Sequence, residues 1–302
     1  MSTPFKSLPV AHRLAFLLSW RGLIGSHLYW KAAYTLQSVR SGEFVKLPNG
    51  LFLEINHKDW TSRTLYEGTY ERALLKFLSD YRTSGLVIDV GANMGSTLLS
   101  MLNKNSNASF LAFEPSSYCF KKLRKASESL EQNGEILQAA VGSRSGMQDL
   151  YDAENPIHSG SASLINYKGL TSPVSQVNVL TLDDFIGSLS GIDYKSLSLI
   201  KIDTEGFEAE VILGAKKVLS RKEFDVIVIE VSPNFGDISW IENLHSYTGE
   251  AFDWFELSEE GFLFKRPRFH QITPNDAKEA TSQFNLVLMH KSFNQRLKCL
   301  KK

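Results

Sequence analysis

Short apolar runs alternate with amphipathic segments over most of the chain. The run Leu86–Val90 has the composition of a strand that is buried on both faces of a sheet. Similar runs occur at 109–114, 135–141, 198–203 and 225–231, and at 177–186, where a strand is expected to lead into a helix that begins near 181. Strands that alternate with helices form parallel sheets with helices on both faces. The pattern therefore predicts an α/β fold with a mostly parallel sheet.

The segments between these runs have the apolar spacing of helices with one buried face. Helices are predicted at 69–79, 96–102, 118–130, 206–219 and 240–247. Two closing strands, at 261–265 and 284–290, are expected to form an antiparallel hairpin at the sheet edge, and 147–151 is expected to extend or pair with an edge. The segment 152–175 is rich in Ser, Gly, Asn and Pro and is predicted to be a long loop.

Residues 1–65 are predicted to form a helical and hairpin extension of a main domain at 66–302. Pro48, Asn49 and Gly50 separate two alternating segments, which indicates a β-hairpin at 44–55. The apolar segment 8–34 is interrupted by basic residues and histidines, so it offers no uncharged span of about 18 residues for a membrane helix and no signal-peptide pattern. It is expected to pack on the domain as one or two accessory helices, or to dock on a membrane surface or a partner.

Composition narrows the functional classes. The chain has 302 residues, of which 33 are basic and 33 acidic, and its formal net charge is +0. No global field attracts nucleic acid or anionic lipid, so no nucleic-acid partner is predicted. Cys119 and Cys299 are the only cysteines and suggest neither a disulfide scaffold nor a zinc ribbon. They fit a reducing cytoplasm, which is the predicted location.

A glycine turn follows the first buried strand. Gly91 and Gly95 bracket this turn, and a helix is predicted to begin at Ser96. Such a unit lets the polar or anionic part of a nucleotide-like ligand approach the backbone. The glycines fall at i and i+4, with Asn93 between them and Asp89 ahead, whereas a dinucleotide fingerprint has glycines at i, i+2 and i+5. This spacing resembles motif I of the S-adenosylmethionine-dependent methyltransferases, whose loop receives the methionine end of the cofactor.

Acidic residues end the neighbouring strands, and ligands bind outside the carboxyl ends of parallel strands. Glu114 lies 19 residues past Gly95 and can accept hydrogen bonds from both ribose hydroxyls of a nucleoside. It could instead cap the next helix or meet Lys121. Asp203 and Glu205 are expected to lie across from the glycine loop, where they could hold an amine, orient a hydroxyl or act as a base. One of these two could instead cap the helix near 206.

A polar and aromatic stretch lies just ahead of the glycine loop in sequence. Tyr66, Glu67, Tyr70 and Glu71 are the residues that define it. Acids near the start of a helix are often no more than solvated partners of the helix dipole. The functional alternative is a lid over the cofactor.

Seven motifs, in order, resemble the FkbM family of S-adenosylmethionine-dependent methyltransferases. They read DVGANMG, AFEP, QAAVG, GSASL, TLDDF, IKIDTEGFEAEVILGA and IEVSP, and the match runs from about Tyr66 to Pro233. The long motif around Asp203 is the specific element, since many methyltransferases share the glycine loop and Glu114. Met94 and Thr204 depart from the usual aliphatic residue and remove no polar group. The resemblance implies a Rossmann-like class I methyltransferase sheet.

The resemblance also implies transfer of a methyl group from S-adenosylmethionine to a hydroxyl oxygen of a sugar, glycan or related natural product. A hydroxyl is a poor nucleophile, so a nearby base helps. Asp203, Glu205 and His158 are the candidates, although His158 could equally be a solvated loop residue. The expected cofactor contacts are Glu67, Asp89, Gly91, Asn93, Gly95, Ser96, Glu114, Pro115, Ala139, Ala140, Ser163 and Asp203. No metal is assigned, although Asp203 and Glu205 with an acceptor diol could hold Mg²⁺.

Three other functions compete with this interpretation. An NAD-dependent oxidoreductase is disfavoured by the glycine spacing and by the lack of a Tyr-x-x-x-Lys pair. Methylation of nitrogen on a macromolecule usually accompanies an Asn/Asp-Pro-Pro-aromatic motif, where this chain has Asp203-Thr204-Glu205-Gly206. A non-catalytic cofactor-binding or assembly module stays open, although Asp89, Gly91 and Glu114 are all present.

Overall fold

A computed structural model describes residues 6–23, 30, 40–128, 130–151, 160–166, 172–189, 197–235, 238–261 and 265–294. Its strands are β1 (Lys6–Ser7), β2 (Phe44–Lys46), β3 (Phe52–Glu54), β4 (Leu86–Val90), β5 (Ser109–Phe113), β6 (Gly134–Leu137), β7 (Ala140–Val141), β8 (Gly146–Leu150), β9 (Ser175–Leu180), β10 (Leu197–Ile202), β11 (Val226–Val231), β12 (Phe252–Glu260), β13 (Arg266–Ile272) and β14 (Phe284–His290). Its helices are α1 (Val10–Trp20), α2 (Trp60–Glu67), α3 (Arg72–Asp80), α4 (Ser96–Leu102), α5 (Ser117–Ser127), α6 (Leu182–Ser188), α7 (Glu208–Gly214), α8 (Lys216–Ser220), α9 (Trp240–Thr248) and α10 (Pro274–Lys278).

The central sheet has eight strands in the order β13-β12-β14-β11-β10-β4-β5-β6. The five strands from β11 to β6 pair in parallel, and β14 pairs antiparallel with both β11 and β12. β4 is one of the middle strands, and all five of its residues are buried. The predicted α/β class is confirmed: the sheet is mostly parallel and carries an antiparallel hairpin, β12–β13, at one edge.

Helices cover both faces of this sheet because successive strand residues point to opposite sides. Ile88 and Val90 join an apolar cluster with residues of α6 to α10, whereas Val87, which precedes Ile88 in the strand, joins a second cluster with residues of α3, α4 and α5. A strand that is apolar at consecutive positions can pack against the helices on both faces of the sheet. The continuous apolar runs in the sequence therefore correspond to a three-layer arrangement.

The N-terminal residues pack on the second of these layers. Phe16 of α1, Leu53 of the predicted hairpin and Tyr66 of α2 share a third apolar cluster with Cys119 of α5. α1 turns Val10, Leu14 and Leu17 outward. Among the described residues, no helix has the length and apolar character needed to span a bilayer. The predicted membrane contact through this helix, the boundary between 65 and 66, the exclusion of nucleic acid and the cytoplasmic location all stay predictions.

Several predicted elements differ from the structure. The run at 135–141 is two strands: β6 ends the central sheet, while β7 pairs with β9 in a second sheet that also contains β8. The predicted helix at 206–219 is α7 and α8, separated at Ala215. The strand predicted at 261–265 lies mostly outside the described residues; Gly261 and Lys265, which are described, fall between the end of β12 at Glu260 and the start of β13 at Arg266. α2 lies in a stretch for which no helix was predicted, and Asp59 caps it by accepting from Thr61 N at 3.3 Å.

Candidate functional site

A cleft lies at the carboxyl ends of β4, β5 and β10. It encloses about 710 Å³ of empty space, part of it open to solvent. This is the end of a parallel sheet at which ligands bind. The residues that line it are Tyr70, Val90, Gly91, Asn93, Ser96, Thr97, Phe113, Glu114, Pro115, Ala139, Ala140, Val141, Gly160, Ala162, Leu164, Lys201, Asp203, Thr204, Glu205 and Phe207.

The glycine loop forms one wall of the cleft. Its first turn is held to β5, since the backbone N–H groups of Gly91 and Ala92 both donate to Phe113 O at 3.0 Å. Gly91 has φ of 77°, and a Cβ on it would lie 1.8 Å from the carbonyl oxygen of Asp203. Only glycine fits here, because both the backbone conformation and the close approach exclude a side chain.

Glu114 connects the second strand to this loop. One carboxylate oxygen accepts from the backbone N–H of Asn93 and the other from that of Ser116, each at 2.8 Å. Burial raises the pKa of Glu114 to about 7, against the opposing effect of these two hydrogen bonds. Ser116 is the N-cap residue of α5, so Glu114 both lines the cleft and supports the start of that helix.

Asp89 supports the loop from behind and does not line the cleft. It is fully buried, accepts from Thr97 Oγ1 at 2.6 Å and lies 3.7 Å from Lys201 Nζ. Burial raises the pKa of Asp89, and the Lys201 ammonium opposes that shift. Lys201 was not among the predicted site residues. A lysine within an otherwise apolar strand was the available signal, since such a charge is buried only when it is paired.

The segment after β10 brings two of the predicted acids into the cleft. Asp203 Oδ2 is 3.1 Å from Lys201 Nζ. Glu205 has a positive φ of 54°, and its carbonyl oxygen accepts from Ser163 Oγ at 2.8 Å. Neither acid caps α7. Glu208, the first residue of α7, instead holds the preceding turn: its Oε1 accepts from Thr204 N at 2.7 Å, Thr204 Oγ1 at 2.9 Å and Gly206 N at 3.3 Å.

Two more carboxylates approach Asp203 from distant parts of the chain. Oxygens of Glu71, Asp203 and Glu230 lie within 4.8 Å of one another. Burial and the negative charge of Asp203 raise the pKa of Glu71 to about 7 and that of Glu230 to about 10. Oxygen donors of this kind suit a hard divalent cation. Because the Lys201 ammonium already supplies positive charge beside Asp203, we assign no metal.

The structure brings together most of the predicted site residues. Those that line the cleft are Gly91, Asn93, Ser96, Glu114, Pro115, Ala139, Ala140, Asp203 and Glu205. Asp89, Gly95 and Ser163 are chain neighbours of lining residues. Glu67 is not a lining residue, and its carbonyl oxygen accepts from Trp30 Nε1 at 3.1 Å. His158 lies outside the described residues.

Tyr70 is a lining residue that the sequence had suggested only as part of a lid. Thr97, Phe113, Leu164 and Phe207 also line the cleft and were not singled out, because apolar and hydroxyl side chains in core elements carry no separate sequence signal. Their place in the cleft depends on how the elements pack.

The buried polar atoms fit a polar cofactor. Asn93 Oδ1 is buried and has no hydrogen-bond partner among the described residues. Asn93 lies in the glycine loop and has a positive φ of 49°, a strained backbone conformation of the kind that is often found at functional sites. Sheet order, glycine loop and acidic strand end together define a class I methyltransferase, whose cofactor is S-adenosylmethionine.

The comparisons identify the family. A family model, the methyltransferase FkbM domain, matches residues 89–264, and the chain belongs to this family. Methyltransferase 1 of Beauveria bassiana is 26% identical over 58% of this chain and 75% of its own length. The 2-O-methyltransferase NoeI of Sinorhizobium fredii is 26% identical over 46% of this chain and 60% of its own length. The 31-O-demethyl-FK506 methyltransferase FkbM of Streptomyces tacrolimicus is 24% identical over 76% of this chain and 95% of its own length.

Among solved structures, a SAM-dependent O-methyltransferase from Thermotoga maritima superposes with a TM-score of 0.37. It is 10% identical, and the alignment covers 85% of this chain and 81% of that one.

Proposed function

We propose that this methyltransferase acts on a hydroxyl oxygen of a sugar, glycan or related natural product. Two relatives, NoeI and FkbM, carry O-methyltransferase names. The observation that carries the proposal is that the Asp203 carboxylate lines the same cleft as the Gly91 loop and is paired with a buried ammonium.

Methylation of a hydroxyl requires that its proton be removed, because the neutral hydroxyl is a poor nucleophile. S-adenosylmethionine supplies the methyl group on a positively charged sulfur. Asp203 is our first candidate for the base, since it lines the cleft and its Oδ2 is held 3.1 Å from Lys201 Nζ. Glu205 lines the cleft beside it and is the second candidate, and His158 stays a prediction.

The remaining lining residues would position the two substrates. Glu114 would accept hydrogen bonds from the ribose hydroxyls of the cofactor, while Ala139 and Ala140 would border its adenine. Tyr70 lies on the wall of the cleft and Glu71 approaches Asp203, which supports the lid that we predict for this stretch. Such a lid would exclude water and hold the acceptor oxygen in line with the methyl group.

Calorimetric titration with S-adenosylhomocysteine, with NAD in parallel, tests the cofactor half of the proposal. We expect micromolar one-site binding of S-adenosylhomocysteine and none of NAD. The acceptor half is tested by incubation with methyl-labelled S-adenosylmethionine and a panel of hydroxylated glycans and polyketide-like compounds. Mass spectrometry would locate the label on carbon-bound oxygen or on nitrogen.

The variants Asp203→Asn and Glu205→Gln assign the base. We expect Asp203→Asn to reduce transfer by about 100-fold, the usual contribution of a positioned base, while binding S-adenosylhomocysteine. Glu131→Gln, on an exposed residue, is the control. Label on an amine would contradict O-methylation. Cofactor binding without transfer to any compound of the panel would favour a binding module.

A further inference from the structure

Lys201 is a charged residue in a fully buried strand. All six residues of β10 are buried, and Lys201 is 3% exposed. Removing an ammonium group from water costs several kcal/mol unless partners compensate it. The contacts of Lys201 therefore indicate why a cation is retained there.

One ammonium group contacts three segments of the site. Lys201 Nζ donates to the carbonyl oxygen of Gly91 at 3.0 Å and to Asp203 Oδ2 at 3.1 Å. Its third neighbour is Asp89 Oδ1 at 3.7 Å, on the residue that faces Lys201 in the register of β4 and β10. The glycine loop, the end of β4 and the candidate base are thus joined through a single atom.

The groups that face this ammonium are acidic. Asp89, Asp203, Glu71 and Glu114 all interact with its charge. Tyr70 and Glu230 in turn interact with the charges of Asp203 and Glu205. Asp89 and Asp203 each form an ion pair with Lys201. Burial lowers the pKa of Lys201, but Asp203, Asp89 and Glu71 outweigh burial and raise it above its usual value.

We infer that Lys201 is a positioning residue, whose ammonium holds the Gly91 loop and the Asp203 carboxylate in the relative geometry that the cofactor and the acceptor require. The part that concerns Gly91 depends only on cofactor binding. The part that concerns Asp203 rests on the function proposed above. Lys201 acts through these two groups and is not itself expected to touch the acceptor.

Titration with S-adenosylhomocysteine tests the cofactor part. Lys201→Met removes the charge and keeps an unbranched side chain, and Lys201→Arg keeps the charge. Lys122→Met is the matched control, because Lys122 is 6% exposed but lies on α5 with its Nζ 4.3 Å from the ring centroid of Tyr118. We expect Lys201→Met to bind about tenfold more weakly or worse, Lys201→Arg to recover part of the loss, and Lys122→Met to bind normally. Equal affinities of Lys201→Met and wild type would overturn this part.

The pH dependence of the melting temperature separates charge from packing. Without the ammonium, the clustered carboxylates bind more protons in the folded state than in the unfolded one, so stability falls as pH rises. The deficit in melting temperature of Lys201→Met relative to wild type should therefore become larger from pH 5 to pH 9. For Lys201→Arg, the difference in melting temperature from wild type should not change with pH. A deficit that is the same at every pH, as lost packing alone would give, would overturn the electrostatic role.

The double variant Lys201→Met/Asp203→Asn covers the case in which the single variant does not fold. Removing Asp203 together with Lys201 leaves one fewer uncompensated carboxylate beside the buried Asp89, so the double variant should melt at a higher temperature than Lys201→Met. A double variant that is no more stable contradicts the pairing. None of these measurements uses an acceptor. If the Lys201 variants behave as expected but the wild-type protein methylates no hydroxyl, only the proposed function is refuted.

Discussion

The carboxylate of Glu114 accepts the backbone N–H of Asn93 at 2.8 Å, which joins the end of β5 to the glycine loop that follows β4. The two residues are 21 positions apart in sequence. Both residues line the cleft, and Asn93 Oδ1 is buried with no hydrogen-bond partner among the described residues. The pair thus couples the shape of the loop to the acid that we expect to hold the cofactor ribose.

Replacement of Glu114 should weaken cofactor binding. In Glu114→Ala the backbone N–H groups of Asn93 and Ser116 lose their acceptor, and the cofactor hydroxyls lose theirs. Hydrogen bonds to charged groups contribute about 1.5–3 kcal/mol, so we expect affinity for S-adenosylhomocysteine to fall by roughly 10- to 100-fold by calorimetry. Glu131→Ala, on an exposed residue, should bind as wild type. Unchanged affinity of Glu114→Ala would rule out its role.

A methyl group at Gly91 should destabilise the fold and the cleft together. The Cβ of Gly91→Ala would lie 1.8 Å from Asp203 O, so β10 or the loop must move. Gly42→Ala is the matched control, since Gly42 has φ of 90° but its Cβ would meet no atom within 4 Å beyond its chain neighbours. We expect Gly42→Ala to cost about 1 kcal/mol of unfolding free energy and Gly91→Ala at least about 2 kcal/mol, measured by urea denaturation. Equal costs would contradict the close approach.

Glu208 should contribute mainly to stability and Glu205 mainly to methyl transfer. Glu208 is 3% exposed, and its Oε1 accepts three hydrogen bonds from the turn that carries Asp203 and Glu205. Glu208→Ala leaves buried donors unsatisfied, which costs about 1–3 kcal/mol of unfolding free energy. Glu205→Ala should cost less stability and mainly reduce methyl transfer. Urea denaturation and the transfer assay on both variants check this, and the reverse order would show that the two roles are exchanged.

The buried acids should make the protein less stable at high pH. The pKa of Glu230 is raised from 4.5 to about 10, so between these values the folded state binds more protons than the unfolded state. By linkage, the free energy of unfolding falls as pH rises through this window. Glu71 and Glu114, with pKa values of about 7, add to the fall up to that pH. Lys201, with its raised pKa, keeps its charge throughout the range from pH 5 to pH 9.

Melting temperatures measured from pH 5 to pH 9 check this dependence. Wild type should lose stability steadily, and Glu230→Gln, which cannot ionise, should lose less. The exposed-site variant Glu131→Gln should follow wild type. A Glu230→Gln curve parallel to that of wild type would show that Glu230 is ionised at neutral pH.

Local sequence patterns were enough for the central strands and the glycine loop. β4 and α4 have the predicted bounds, because a doubly buried strand is apolar at every position but one and Gly91 is required wherever backbone comes this close. Glu114, Asp203 and Glu205 could be placed because strand ends in a parallel sheet share one edge. The division of 135–141 into two strands could not be predicted, because β6 and β7 form one apolar run in the sequence and differ only in the strands with which they pair.

The class of fold, the strand that leads into the glycine loop and the acids at the strand ends could be predicted from local sequence, because they depend on periodicity and on neighbouring residues. The meeting of Glu71, Asp203 and Glu230, and the link that Lys201 makes between Asp203 and Gly91, arise only when the chain is folded. Such contacts link residues far apart in the chain, and their energies depend on burial and distance, which no local pattern encodes. The charge state of the site is therefore a property of packing.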